Sequence, residues 1–387
     1  MEFIYFDHIS GTPLHPLVKE AMIKYIEENG FGNPSSQHRL GDAAIETLNN
    51  ARENVAKLIN AKPEEIVFTS GGTESINHAI KGVAFARAKK GKHIITSNIE
   101  HQSVSRTLRM LMRMGYQVTT MPVDSYGVVD PSDVEKAIRD DTILITIMHA
   151  NNEIGTIEPI EEIGKIARQR NIIFHTDAVA SCGNIPIDVN ELNVDLLSLS
   201  ANQFYGPPGV GALYIREKTP IFPLIDGGTQ ENNQRAGTQN ILGIVGMGKA
   251  ASLAKAEMPE RTEHLLKLKR YFLDKLGTID DIIVNGHPEK SLPGLVSFSV
   301  EYVEGESMMI MLDEKGICVS TRSACASGSL RASHVLIAIG RDYATAQGTL
   351  LFSFGIFNTI EQIDKAFVVL EETIKFLRNI SPLYKKK

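Results

Sequence analysis

The stretch "SLSANQFYGPPGVGALYI", Ser198–Ile215, reads as a strand, a polar loop and a glycine-rich return strand. The loop carries two side-chain amides, Asn202 and Gln203, and residues 199–214 contain no lysine. On either side of the loop, short apolar runs rich in Ile, Val and Leu alternate with helical patterns. Upstream they are "EIVFTS", "KHIITSN", "QVTTMPV", "TILITIMHA" and "IIFHTDAV", and "DLLSLSA" and "VGALYIR" flank the loop itself. Such runs, separated by helices, read as buried strands of a mostly parallel sheet. In "DAAIETLNNARENVAKLI", residues 42–59, Ile45, Leu48, Val55, Leu58 and Ile59 fall on one helical stripe, with Asp42 placed to cap it. A helix-rich stretch from about Ile241 to Leu276 and a mixed α+β segment complete the chain.

The 387 residues are 43% hydrophobic and 22% charged, the balance of a globular protein with a large core. The net charge of −6 argues against a general nucleic-acid binder. The opening "MEFIYFDHISGTP" has no basic region followed by an apolar run, so no signal peptide is expected. No apolar run approaches the roughly 18 residues of a membrane span. Three cysteines, Cys182, Cys318 and Cys325, make no disulfide framework and no Cys-x-x-Cys pair, which points to a cytoplasmic setting. Cys182 and Cys318 read as core residues. Cys325, in "STRSACASGSLRASH" with Arg322 and Arg331 nearby, reads as an exposed, electropositive loop thiol, a setting that favours thiolate. The terminal "KKK" reads as a solvated tail, with a docking contact for an acidic partner as the alternative.

Ligands of open α/β sheets sit beyond the carboxyl ends of the strands, and polar signals cluster there. "VFTSGGTES" runs from a strand into glycines and a helix starting near Thr73, which suits a phosphate but equally an ordinary strand-to-helix turn. "HANNEIG" puts Asn151 and Asn152 at one strand end, and "HTDAV" puts Asp177 at another. A carboxylate there needs a partner, either a protonated pyridine nitrogen or an internal cap or ion pair. Ser200 ends a further strand. His101, in "IEHQS", suits ring stacking, proton transfer or a purely structural place.

With these motifs the chain resembles the pyridoxal-phosphate-dependent cysteine desulfurases of the NifS/IscS type, within the class V aminotransferases of fold type I. The resemblance covers nearly the whole chain and rests also on "FGNPSSQHRLG", "GGTQENNQRAGT", "VEGESMM" and "SPLY". It implies a large cofactor-binding domain, residues 15–260, with a mostly parallel seven-stranded sheet. It implies a smaller α+β domain made of residues 1–14 and 261–387, carrying a mobile cysteine loop. Gly72 and Thr73 would hold the cofactor phosphate, with Ser200 helping, and Thr238 would reach it from the other subunit of a homodimer. His101 would stack on the pyridine ring, Asp177 would pair with its nitrogen, and Asn152 would lie near its phenolic oxygen. Cys325 matches the cysteine that attacks the substrate sulfur and carries a persulfide.

The same resemblance exposes departures. The family's His-Lys pair is here Asn202 and Gln203. Glutamine has no amine, so it forms no covalent link to the cofactor and serves as no base. A family glutamine three residues after the aspartate is Ala180, the arginine that clamps the substrate carboxylate is Leu351, and the glycine before "SAC" is Arg322. The pattern looks like a lysine-less branch of IscS-like proteins in which pyridoxal phosphate is held noncovalently. The first expectation is a partner in iron–sulfur cluster assembly without ordinary desulfurase activity, docking an IscU-like scaffold protein. There Cys325 would be a persulfide carrier or a ligand to a shared 2Fe–2S cluster. The alternative is an active enzyme using noncovalent cofactor, with His101 as base, on cysteine or a related substrate. An inert subunit that stabilises an active paralogue is the third.

Overall fold

The computed structural model describes residues 3–28, 30–321, 332–382 and 384, so Arg322, Cys325, Arg331 and the terminal lysines lie outside the described residues. A short strand, β1 (Ile4–Tyr5), precedes helices α1 (Pro16–Glu27) and α2 (Arg39–Leu58). Then β2 (Ile66–Thr69) leads into α3 (Gly72–Ala86), β3 (His93–Ser97) into α4 (Gln102–Arg113), and β4 (Gln117–Met121) into α5 (Pro131–Ala137). Strand β5 (Thr142–Thr146) leads into α6 (Ile160–Gln169), followed by β6 (Ile173–Asp177), β7 (Leu196–Ser200) and β8 (Gly211–Ile215).

The seven apolar runs are these seven strands, β2 to β8. They form one sheet in the order β2-β8-β7-β6-β5-β3-β4. All its pairings are parallel except the two made by β8, which is antiparallel to β2 and β7. The chain thus has the α/β architecture of a fold type I enzyme. One expectation about burial fails at the sheet edge. Strand β4 has a single neighbour in the sheet, and of its five residues Gln117 and Thr120 are exposed, Val118 and Thr119 half-buried and Met121 alone buried.

Helix α2 corrects two further expectations. Its cap is His38, whose Nδ1 accepts from the Gly41 N–H at 3.2 Å, so Asp42 lies within the first turn, where its charge suits the helix dipole. Ile45 is 43% exposed, whereas Leu48, Val55 and Leu58 are buried against the long helix α7 (Ile241–Leu276). The remaining elements are β9 (Ile282–Asn285), β10 (Leu295–Val300), α8 (Gly305–Asp313), β11 (Ile317–Cys318), α9 (His334–Ala338), α10 (Tyr343–Gln347), β12 (Thr349–Ser353) and α11 (Ile360–Ile380). Strands β12, β10 and β9 make a second, antiparallel sheet in that order.

Helix α7 serves two cores. Ile244, Met247, Ala251 and Met258 pack with the seven-stranded sheet, and Leu265, Leu268, Phe272 and Leu276 pack with the three-stranded one. Phe6, at the start of the chain, joins the second core beside Phe352 and Phe354. Each such side chain taken fully out of water contributes about 1.5–3 kcal/mol, enough to hold the first residues against the last. The segment that follows Phe6 is thereby laid across the ends of the large sheet, where the candidate site lies.

Candidate functional site

At the carboxyl ends of β2, β5, β6 and β7 a cavity of about 420 Å³ opens. It brings together Gly72, Thr73, Asp177 and Ser200, and with them His101, Asn152, Asn202 and Gln203. These eight, up to 131 positions apart, meet there because parallel strands end on one side. Thr238 does not line this cavity. It is exposed on the loop before α7.

The phosphate-like end is a backbone construction. Gly71 precedes α3 with φ of 150°, a conformation that a side chain would strain. A Cβ on Gly72 would approach Val179 Cγ2 to 2.5 Å, so the second glycine keeps the helix start against the β6 end. The first N–H groups of α3 lack intrahelical partners and face a site that favours an anion.

Asp177, the last residue of β6, is buried, 5% exposed, and its Oδ1 accepts from the Val179 N–H at 2.9 Å. Among the described residues it makes no ion pair, and burial pushes its carboxyl up to about 6. A cationic ring nitrogen would relieve that cost. Behind it lies Glu100, whose Oε1 accepts from the Ser97 hydroxyl at 2.7 Å and the Met148 N–H at 2.9 Å. Glu100 Oε2 is buried without a hydrogen-bond partner, and burial raises this carboxyl to about 8. Glu158 is raised to about 8 for the same reason.

His101 both lines the cavity and caps α4. Its Nδ1 accepts from the Ser103 N–H at 3.2 Å and lies 2.7 Å from Ser103 Oγ. An N–H always donates, so the neutral ring carries its proton on Nε2. For His101 to act as a base through Nδ1, this capping bond must open. Ser200 donates to Asn202 Oδ1 at 2.6 Å, so its proton is already engaged.

Gln203 is 7% exposed, and its Nε2 donates to the Ile9 carbonyl at 3.1 Å. Thr12 completes the tie: its N–H and hydroxyl both donate to the Asn202 carbonyl, at 2.9 and 3.0 Å. Ile9 and Ser10 thereby become cavity residues. Sequence reasoning gave them no role, because their partners lie almost 200 positions away.

Leu351 is fully buried in β12 and lies behind the cavity wall. It belongs to one apolar cluster with Ala150, Ala180, Leu292 and Leu295, against which Ile9, Ile157 and Ile185 pack. Two departures that look unrelated in sequence, Ala180 and Leu351, are therefore parts of one apolar wall. Cys182 is buried with its thiol raised to about 12, a core residue. Cys318 is half-buried in β11, which pairs with β1, rather than enclosed. Among the described residues no group of three or more His, Cys, Asp or Glu is arranged to hold a metal ion, and no helix is long and apolar enough to cross a membrane.

Comparison with known proteins agrees with this geometry. Residues 4–366 match the family described as aminotransferase class-V. The chain is 54% identical to cysteine desulfurase IscS of Dictyoglomus turgidum, covering 99% of this chain and 97% of that protein. It is 52% identical to cysteine desulfurase IscS of Methanosarcina thermophila, with 99% and 95% covered. Among solved structures, a NifS-like protein superposes with a TM-score of 0.92 at 40% identity, with 97% of this chain and 100% of that one covered. SspA in complex with cysteine gives 0.80 at 37% identity, with 92% and 99% covered. The chain belongs to the class V aminotransferase family and stands within it beside the IscS and NifS-like proteins.

Proposed function

We propose that this protein binds pyridoxal 5'-phosphate without a covalent link and uses it to take sulfur from cysteine or a related aminothiol. The observation that carries the reading is Asp177: a buried carboxylate at a strand end, raised to about 6, lining a cavity that a glycine-rich helix start also lines. That pair of features fits a phosphorylated pyridine, and the relatives named cysteine desulfurase supply the chemistry.

In this reading Gly72, Thr73 and the α3 N–H groups hold the phosphate. Asp177 holds a proton on the ring nitrogen, His101 covers the ring, and Asn152 lies at its phenolic side. When bound, the cofactor supplies an electron sink for charge developing at the substrate's α-carbon. Gln203 contributes no base and no covalent anchor, which costs retention and roughly 10²–10⁴-fold in the proton steps. Cys325 receives the sulfur as a persulfide, leaving alanine when the substrate is cysteine. The protein acts as a cytoplasmic homodimer in iron–sulfur cluster assembly, with Thr238 completing the partner's phosphate site and an IscU-like scaffold taking the sulfur.

Gln203 and Leu351 favour a second reading, in which turnover is absent and Cys325 serves as carrier or as ligand to a 2Fe–2S cluster shared with the scaffold. The visible spectrum of the purified protein with added cofactor, before and after borohydride, together with sulfide release from cysteine and from 2-aminoethanethiol, separates the two. Noncovalent cofactor with measurable sulfide supports the first reading. Bound cofactor without sulfide supports the second. A borohydride-fixed protein adduct overturns the noncovalent site itself.

A further inference from the structure

The cavity is chemically mixed. Its polar lining includes Thr73, Ser200 and Asn202, with the neutral amides of Asn152 and Gln203 and the carboxylate of Asp177. Its apolar lining includes Ile9, Ala150 and Ala180, which pack together with the fully buried Leu351 behind them. Leu351 is held there by its backbone: it pairs with Ser297 of β10, and its N–H and carbonyl bond with Ser320 at 2.8 and 3.2 Å. Among the described residues that line the cavity the titratable side chains are Asp177 and His101, and none is a lysine or arginine.

A free carboxylate set against this wall would lose water and gain no cation, whereas a neutral group of the same size would lose little. We propose that the cavity takes an aminothiol whose carboxyl group is absent or masked as an ester or amide, its neutral end lying against Ile9, Ala150 and Ala180. The proposal rests on the cofactor reading above and narrows its substrate class.

Reduced phosphopyridoxyl conjugates test it by equilibrium binding, with no turnover involved. Cofactor-free protein is titrated calorimetrically with pyridoxamine 5'-phosphate and with the phosphopyridoxyl conjugates of 2-aminoethanethiol, L-cysteine methyl ester and L-cysteine. The expected order places both carboxylate-free conjugates at least about tenfold tighter than the L-cysteine conjugate, as an unpaired buried charge requires. Equal or tighter binding of the L-cysteine conjugate overturns the proposal, because a cation from outside the described residues must then meet the carboxylate. If pyridoxamine 5'-phosphate itself fails to bind, the cofactor reading falls, a result separable from the first. Ile9→Lys puts a cation in the apolar lining at a half-exposed position, avoiding the buried Leu351. The expected result is a shift of the order towards the L-cysteine conjugate by about tenfold. An unchanged order in a folded variant that still binds pyridoxamine 5'-phosphate places the carboxyl elsewhere and overturns the proposal.

Discussion

The side-chain amide of Gln203 donates to the main-chain carbonyl of Ile9 at 3.1 Å, tying the sheet-end loop to the segment that crosses the cavity. This bond gives the amide a structural job at the position where relatives of this fold are expected to carry an amine. Gln203→Lys restores the amine, and it is expected to produce a borohydride-reducible bond to added pyridoxal phosphate, seen as a mass increase on the peptide containing residue 203. An unmodified peptide in a folded, cofactor-binding variant would mean that the side chain stays on Ile9.

Burial of Glu100 makes stability depend on pH. Its carboxyl gives up a proton near 4.5 when unfolded and near 8 when folded. Between those values the folded state binds more protons, so stability falls as pH rises through the window and levels off above 8. Glu158 acts in the same direction. Glu100→Gln keeps an oxygen for Ser97 and Met148 and removes one titration. Urea midpoints measured from pH 5 to 8.5 are expected to fall less steeply in the variant, by up to about 1.4 kcal/mol per pH unit. Parallel curves would contradict this.

The loop that carries Thr238 depends on a buried ion pair. Arg52 donates to both oxygens of Glu231, at 2.7 and 2.8 Å, and Glu231 also accepts from the Phe68 N–H at 2.8 Å and from Gln239 at 3.1 Å. Glu231→Ala leaves the guanidinium without its counter-charge and is expected to cost about 3–5 kcal/mol. Chemical denaturation measures this, and a loss under about 1 kcal/mol would show that water replaces the carboxylate freely.

Thiol reactivity separates the three cysteines. Cys182, buried and raised to about 12, is expected to resist alkylation until the protein unfolds. Cys318, half-buried with its thiol raised by burial first and by nearby acids second, is expected to react slowly. Cys325, with arginines close in sequence, is expected to react fastest. Peptide mass mapping after brief treatment with iodoacetamide at pH 7.5 reads the order, and rapid labelling of Cys182 would contradict its enclosed position.

The local pattern of the chain was enough to mark the seven strands of the large sheet, because strands buried on both faces are rich in Ile, Val and Leu; the edge strand β4 followed the pattern without the burial. It also determined the chemistry available at single positions: a glutamine at 203 has no amine in any fold. Tertiary structure alone decided which distant residues meet. The 194-position span from Ile9 to Gln203 and the shared apolar wall of Ala180 and Leu351 depend on partners brought close only in the folded chain. Periodicity reports what a residue prefers to be near, while burial and hydrogen-bond satisfaction across the folded chain select which neighbour it obtains.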